Sequence, residues 1–210
     1  KGLSPWMQKL PGGLIHVNVV GCALFAAISG SSAATVATVG KMSIPELRKR
    51  NYPEKILLGS LAGSGTLGLL IPPSIILIIY GVAVQESIAK LFIAGIIPGI
   101  MIALIFMSYV IIWSLINKKS MPKIIEEYSF FEKIKRSKQL LPVIILILAV
   151  IGSIYTGIAT ATEAASLGVV GALILSYFQK SLTLKTFKSS LLGATKTSCM
   201  IAFILSLIHI

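Results

Sequence analysis

Long apolar stretches separated by short polar segments are the dominant pattern of this sequence. Two runs without any charged residue extend over Leu91–Ile116 and Leu140–Thr162. About 20 apolar residues are enough to span the hydrocarbon of a bilayer as a helix. We expect further membrane helices in the apolar segments at residues 13–40, 56–80 and 163–179. The pattern predicts an all-α integral membrane protein.

Two breaks rich in Gly, Ser and Thr interrupt these apolar stretches, at Ser29–Thr35 and at Gly63–Ser74. Lipid offers no hydrogen-bonding partner, so backbone groups freed by a broken helix need protein, water or a ligand to satisfy them. Secondary transporters place their binding sites at such broken helices. Two breaks therefore predict a binding site at bilayer depth. Helix packing through small residues and an ordinary proline kink are the simpler explanations of each break alone.

Composition and charge agree with a membrane protein. Of the 210 residues, 55% are hydrophobic and 12% are charged, whereas soluble domains are about one-quarter charged. The net charge of +12 lies in clusters between apolar runs, with no basic face interleaved by aromatics, so we predict no nucleic-acid partner. Cys22 and Cys199 are expected to be small buried hydrophobes. The sequence contains neither a Walker A pattern nor an HExxH motif.

The distribution of Lys and Arg predicts a topology. Basic loops mark the cytoplasmic side, and every basic cluster can be placed there if only Lys90 is left outside. This requires residues 13–40 to form a re-entrant hairpin with its tip at Ser29–Ser32. The alternative is one spanning helix, which leaves Lys1 and Lys9 outside. We divide the chain into a first membrane portion (1–116), a basic cytoplasmic linker (117–138) and a second membrane portion (139–210).

Three further features have a structural and a functional interpretation. Ser and Thr hydroxyls and freed carbonyls at the breaks suit a hard cation such as sodium, and half-helix N-termini suit a carboxylate. Thr160 and Glu163 have the spacing of a capping box, although an acidic residue beside an apolar span could also carry protons. His16 is expected to be a packing residue. It would be the base if the chain were an intramembrane serine hydrolase.

Taken together, these residues resemble the large membrane subunit of the tripartite ATP-independent periplasmic (TRAP) transporters, the DctM-like permeases. The matching segments are Leu10–Gly13, His16–Val19, Ala27–Thr35, Ile44–Leu47 with Arg50, Gly65–Ser74, Tyr80–Gly81, Leu91–Gly99 and Tyr155–Ala165. The family usually has a proline where this chain has Ala161. Proline there would occupy the first position of a capped helix, a structural role, so the departure leaves the functional expectation intact.

The resemblance implies a fragment of an elevator-type, inverted-repeat transporter with a re-entrant hairpin and broken helices, in which the second repeat is truncated. It implies a multi-pass permease of the bacterial inner membrane that imports organic acids, such as C4-dicarboxylates or sialic acid, with sodium as the coupling ion and no other cofactor. Its implied partners are a small DctQ-like membrane subunit and a periplasmic DctP-like solute-binding protein. An exchanger of the same superfamily that needs no binding protein is the alternative, and a purely structural membrane subunit is a further one.

The resemblance also assigns site residues by motif. One sodium site is expected at the hairpin tip and the helix break, formed by Ser29, Gly30, Ser31, Ser32, Gly63, Gly65 and Thr66. The substrate path is expected beside Ser32, Thr35, Pro72, Pro73 and Ser74. No catalytic residue is expected.

Overall fold

The computed structural model describes residues 3–122 and 140–208, and every regular element within these two ranges is a helix. The linker predicted at 117–138 lies largely outside the described residues. The α-helices are α1 Ser4–Met7, α2 His16–Ser29, α3 Ser32–Lys49, α4 Glu54–Gly65, α5 Ile75–Val84, α6 Ile88–Ile116, α7 Leu141–Tyr155, α8 Ala161–Phe178 and α9 Leu184–Ile208. Short 3-10 helices occupy Gly13–Ile15, Thr66–Leu69 and Lys118–Ser120.

Helices α2 and α3 form an antiparallel hairpin and not one continuous helix. Leu14 and Leu47 belong to one buried cluster, and Cys22 and Val39 belong to another. The two members of each pair are equally far along the chain from the Gly30–Ser31 peptide, as expected for two arms that fold back on each other. The two arms therefore pack apolar side chains against each other along their length, and the Gly30–Ser31 turn forms the tip.

Helices α4 and α6 pack against this hairpin. From α4, Leu57 joins the cluster at the open end of the hairpin and Leu61 joins the cluster in its middle. Leu67, just beyond α4, clusters with side chains of α2, and α6 covers this group with Ile102, Ala103, Phe106 and Met107. The hairpin, α4 and most of α6 belong to one compact unit, made of the described parts of Lys1–Leu77 and Lys90–Leu141.

A second compact unit comprises Ile78–Ala89 and the described part of Pro142–Ile210. Helix α7 contacts α8, since a Cβ added at Gly168 would lie 3.4 Å from Val150. Buried hydrophobic side chains of this unit are Ile154 and Ala164, on either side of the turn between the two helices. Cys199 is exposed on α9, so the expectation that it is buried is wrong, whereas Cys22 is buried as expected.

Two helices in the described ranges are long and apolar enough to cross a membrane, judged by length and composition. They are α6, with 29 residues, and α8, with 18 residues. At 1.5 Å per residue, α6 extends about 43 Å, more than the roughly 30 Å of bilayer hydrocarbon. Shorter apolar helices occupy Gly13–Ser29, Ile75–Val84 and Leu141–Tyr155.

Candidate functional site

The first break is a tight turn between α2 and α3. Gly30 is left-handed, with φ 57°, and its N–H donates to the carbonyl of Ala26 at 2.9 Å, which closes α2. Glycine adopts this conformation without the steric cost of a Cβ. Ser31 then caps α3, because its hydroxyl accepts from the N–H of Ala34 at 3.4 Å. Two residues therefore end one helix and begin the next.

Hydroxyl groups gather inside this turn. The hydroxyl oxygens of Ser29 and Thr35 are 2.9 Å apart. Thr35 donates to the Ser31 carbonyl from its hydroxyl at 2.7 Å and from its N–H at 3.0 Å. The Ser29 hydroxyl lies 3.3 Å from the same carbonyl oxygen. The Ser31 carbonyl thus accepts several hydrogen bonds, and Thr35, which is fully buried, lies within the turn.

The second break interrupts the chain between α4 and α5. The 3-10 helix Thr66–Leu69 follows α4, and the chain stays non-helical until α5 begins at Ile75. Pro72 and Pro73 have no N–H, so they cannot continue a helical hydrogen-bond ladder. The buried hydroxyl of Ser74 donates to the carbonyl of Leu69 at 2.7 Å. This bond satisfies one of the carbonyls that the break frees.

The hairpin tip and the second break lie directly against each other. The N–H of Ile75, at the start of α5, donates to the carbonyl of Gly30 at 3.2 Å. A Cβ added at Gly30 would lie 2.7 Å from the carbonyl oxygen of Pro73. The first turn of α5 is therefore joined to the hairpin tip through backbone atoms.

Two glycines of the second break allow a still closer approach. A Cβ added at Gly68 would lie 2.8 Å from the carbonyl carbon of Ser31 and from the nitrogen of Ser32. A Cβ added at Gly65 would overlap the side chain of Val36 on α3. The absence of a side chain at Gly68 lets the backbone of the break approach the backbone of the tip, and its absence at Gly65 leaves room for the Val36 side chain.

The structure brings together most of the residues that the sequence assigned to the site. Ser29 to Ser32 and Thr35 form the tip, and Gly65, Pro73 and Ser74 lie on or next to the segment that faces it. Pro72 is buried and lies near Gly95 of α6. A Cβ added at Gly95 would be 3.6 Å from the Pro72 ring.

Gly63 and Thr66 have different surroundings. Gly63 faces the ring of Phe106 on α6, at 3.0 Å from an added Cβ. Thr66 is exposed, and its hydroxyl donates to the Gly63 carbonyl at 2.7 Å. The structure therefore places Thr66 at the edge of the break, with its hydroxyl turned back to the end of α4.

Three participants were not among the predicted site residues: Gly68, the carbonyl of Leu69 and the N–H of Ile75. The spacing of Gly65 and Gly68 was an available signal, since residues three apart lie on one face of a helix. The backbone groups of Leu69 and Ile75 leave no signal in a sequence, because every residue carries them.

The open end of the hairpin holds His16. Its Nε2 atom is 2.8 Å from the carbonyl oxygen of Pro11. The nearby Tyr52 hydroxyl accepts from the N–H of Leu14 at 3.0 Å, and burial raises the pKa of Tyr52. Helix α2, with 14 residues, is about 21 Å long, so it separates His16 from the tip serines. His16 is therefore a packing residue, as expected, and does not act as a base for Ser31.

Thr160 and Glu163 form the predicted capping box at the start of α8. The N–H of Glu163 donates to the Thr160 hydroxyl at 3.3 Å, and the N–H of Thr160 donates to the Glu163 carboxylate at 2.8 Å. Both hydrogen bonds of the box are present, so this structural interpretation is confirmed.

The chemistry at the tip and break is that of neutral oxygen ligands. Residues 10–40 and 56–85 contain no Asp, Glu, Lys or Arg. Within the described part of the chain, no three His, Cys, Asp or Glu side chains are grouped as a metal site. Hydroxyl and carbonyl oxygens without a carboxylate are a donor set that fits a hard monovalent cation better than a transition metal.

A helical hairpin that packs against a broken helix is an arrangement found in secondary transporters. The sequence matches the family model of the DctM component of the tripartite ATP-independent periplasmic transporter over residues 7–210. The chain belongs to this family of membrane transport proteins, and the predicted resemblance is confirmed.

Curated relatives carry the same family likeness. The chain is 37% identical over 197 residues to the C4-dicarboxylate TRAP transporter large permease protein DctM of Pseudomonas aeruginosa. This alignment covers 93% of this chain and 45% of that protein. The chain is 36% identical over 205 residues to the isethionate TRAP transporter permease protein DctMQ of Oleidesulfovibrio alaskensis, covering 96% and 32%. It is 37% identical over 196 residues to the sialic acid TRAP transporter permease protein SiaT of Haemophilus influenzae, covering 92% and 31%.

The chain thus spans about half the length, or less, of the curated relatives it matches. These relatives are named as transporter permeases. The prediction of a transport protein and not an enzyme agrees with these names.

Proposed function

We propose that this chain is part of the large permease subunit of a sodium-coupled secondary importer of organic acids that depends on a periplasmic binding protein. The observation that carries the proposal is the direct contact between the hairpin tip and the second break. Gly68 lies on the Ser31–Ser32 backbone, and Ile75 donates to the Gly30 carbonyl. A site assembled from two broken helices is the arrangement by which secondary transporters couple an ion to a solute.

Sodium is the coupling ion that best fits the tip. Hard cations take oxygen ligands, and the tip and break offer hydroxyl and carbonyl oxygens in a segment without charged side chains. Under this proposal the ion lies among Ser29–Ser32, with oxygens of the break from Gly63 to Thr66 completing its coordination. The partial negative charge at the C-terminal ends of α2 and α4 further favours a cation.

The substrate is proposed to bind beside the ion through helix N-termini. Helices α3 and α5 begin at Ser32 and Ile75, next to the tip. The N–H groups of a helix N-terminus favour a carboxylate, and no Lys or Arg within residues 56–85 competes for that role. Relatives named for C4-dicarboxylate, sialic acid and isethionate agree with an organic acid as the transported class.

The proposed membrane topology is multi-pass in the bacterial inner membrane. The basic clusters at Arg48–Arg50 and Lys118–Lys119 would be cytoplasmic. The hairpin of α2 and α3 would then enter and leave on that same side, with its tip inside the bilayer. An elevator-type movement of this hairpin and α4, as one body, would expose the tip to either side.

Two partner proteins complete the proposal. A DctQ-like small membrane subunit and a DctP-like periplasmic solute-binding protein would work with the permease. One relative is named DctMQ, which agrees with a close association of large and small subunits.

Uptake into proteoliposomes tests the proposal. The complete permease, with its small subunit, is compared under an inward sodium gradient and an inward potassium gradient, each with and without the binding protein, across a panel of organic acids. We expect uptake only when sodium and the binding protein are both present. Sodium-independent uptake would overturn the ion assignment, and uptake or exchange without the binding protein would favour the exchanger alternative.

A further inference from the structure

A line of buried polar side chains joins α2 to α4. Asn18 of α2 is fully buried, and its amide nitrogen lies 3.1 Å from the Ser60 hydroxyl and 3.3 Å from the Leu57 carbonyl of α4. Ser60 donates to the same Leu57 carbonyl at 3.0 Å. Ser64, also fully buried, continues the line by donating to the Ser60 carbonyl. We call Asn18, Ser60 and Ser64 the polar seam.

The seam stands out because its surroundings are apolar. Cys22, Val39 and Leu61 form a buried cluster on one side of it, and Leu57 is itself fully buried. Between membrane helices the hydrophobic effect does not favour one register over another, since lipid is as apolar as a leucine side chain. The hydrogen bond from the Asn18 amide to the Ser60 hydroxyl does favour one register, because the neighbouring positions of α4, Gly59 and Leu61, have no hydroxyl.

The register of α4 determines whether the second break fits the tip. Ser64 immediately precedes Gly65, and both glycines of the close approach follow within one further turn. Shifting α4 and the segment after it by one residue, an advance of about 1.5 Å with a rotation of about 100°, would carry Leu67 or Leu69 to the place of Gly68. That side chain would meet the Ser31–Ser32 backbone, where even a Cβ has no room.

We propose that Asn18 is a positioning residue that, through the polar seam, holds α4 in the register that seats the second break on the hairpin tip. Asn18 does not contact the ion or the solute. Its effect on sodium binding rests on the proposed function, but its effect on the contact between tip and break does not.

The test uses Asn18→Leu in the complete permease with its small subunit. Leucine has the same branched shape and number of side-chain heavy atoms as asparagine, and it leaves no unpaired donor, because Ser60 keeps its bond to Leu57. A replacement of this kind is expected to cost little stability. Asn117→Leu is the matched control. Asn117 makes the same amide-to-carbonyl bond, at 2.9 Å, but to Trp113 of α6, the helix it follows.

Two measurements are made on each variant. Hydrogen exchange reports on the amide of Ile75, which donates to Gly30 across the contact. Sodium-dependent uptake gives the sodium concentration for half-maximal rate and the maximal rate. For Asn18→Leu we expect faster exchange at Ile75 and a half-saturating sodium concentration raised roughly three- to tenfold, the value of about one hydrogen bond, with thermal stability and maximal rate little changed.

The outcomes separate this proposal from the proposed function. Faster exchange at Ile75 with unchanged sodium dependence would support the positioning role and contradict the sodium site. Unchanged exchange in a folded Asn18→Leu protein would overturn the positioning role whatever the transport result. If Asn18→Leu does not fold, Ser60→Ala removes one hydroxyl only, and unchanged exchange at Ile75 in that variant would overturn the role as well.

Discussion

The hairpin unit and the unit containing α7, α8 and α9 are both helical and apolar, but they differ in which side chains are buried. In the hairpin unit the buried set includes polar side chains such as Thr35, Asn18 and Ser64. In the described part of the other unit, the buried hydrophobic residues are Ile154 and Ala164, and α9 is exposed along most of its described length. Similar composition therefore accompanies two different degrees of internal packing.

Glycine shows the difference most directly. Gly30 and Gly68 lie where a Cβ would meet backbone atoms at less than 3.0 Å. At Gly152 and Gly157 an added Cβ would meet nothing within 4 Å. The number of glycines alone thus does not identify a site. This site is identified because Gly30 of the tip contacts the second break and Gly68 of the second break contacts the tip.

The largest effect is expected for Gly30→Ala, compared with Gly157→Ala. Both residues are left-handed, with φ 57° and 72°, so each substitution costs about 1–2 kcal/mol in backbone strain. Gly30→Ala adds a clash with the Pro73 carbonyl oxygen, about 1–3 kcal/mol of overpacking. The midpoint temperature of thermal unfolding of the complete permease should fall clearly further for Gly30→Ala than for Gly157→Ala. Equal losses in the two variants would contradict the contact between tip and break.

Gly68→Ala is expected to have the next largest effect. The added methyl would meet the backbone of Ser31 and Ser32, which cannot rotate aside as a side chain could, and overpacking of this kind costs about 1–3 kcal/mol. We expect maximal sodium-driven uptake to fall roughly tenfold. The matched control is Gly152→Ala, in open space on α7, where a gain of about 0.5–1 kcal/mol in helix stability is expected. An equally large loss of uptake in Gly152→Ala would contradict the interpretation that the effect of Gly68→Ala comes from its contact with the tip.

Thr66→Val and Ser31→Ala test the proposed ion ligands with smaller changes. Each removes a hydroxyl at the tip or break, and we expect the half-saturating sodium concentration to rise roughly two- to tenfold, the range for one hydrogen bond or ligand. Thr197→Val is the control, because that exposed hydroxyl of α9 also bonds a carbonyl of its own helix, at 3.1 Å. Unchanged sodium dependence in Thr66→Val and in Ser31→Ala would remove both residues from the ion site.

The sequence predicted the two breaks because Gly, Ser and Pro act locally on the backbone. It also predicted the capping box of Thr160 and Glu163, since a cap is contained within four consecutive residues. It did not predict that Gly68 faces Ser31 and Ser32, because that contact joins Gly68 to a hairpin tip more than 30 residues earlier in the chain and depends on how α4 packs on the hairpin.

The surroundings of Thr66 could not be predicted from the sequence pattern for a different reason. The chain changes from α to 3-10 winding at Thr66, and the two helices advance by different angles per residue. Residues after the change therefore point in directions that a uniform helical period does not give. Thr66, the first residue of the 3-10 segment, is exposed as a result. Gly63 lies before the change, within α4, and its contact with Phe106 depends on how α6 packs on α4.

The smallest effects are expected in the second unit, at the capping box of α8. Thr160→Ala removes the hydroxyl that accepts from Glu163 and should lower stability by about 0.5–1 kcal/mol, with no change in sodium dependence. Thr160→Ser keeps the hydroxyl and should restore the stability. Thermal unfolding and uptake, measured on the same preparations, check both expectations.

Glu163→Gln decides between the cap and the proton-carrying role that the sequence left open. Glutamine can accept the Thr160 N–H as glutamate does, but it cannot carry a proton. If Glu163 acts only in the cap, the variant should keep the stability of the parent protein and the same dependence of uptake on pH. A pH profile that flattens while stability is retained would assign proton transfer to Glu163. Since its carboxylate oxygen lies 2.8 Å from both the nitrogen and the hydroxyl oxygen of Thr160, we expect the profile to stay unchanged.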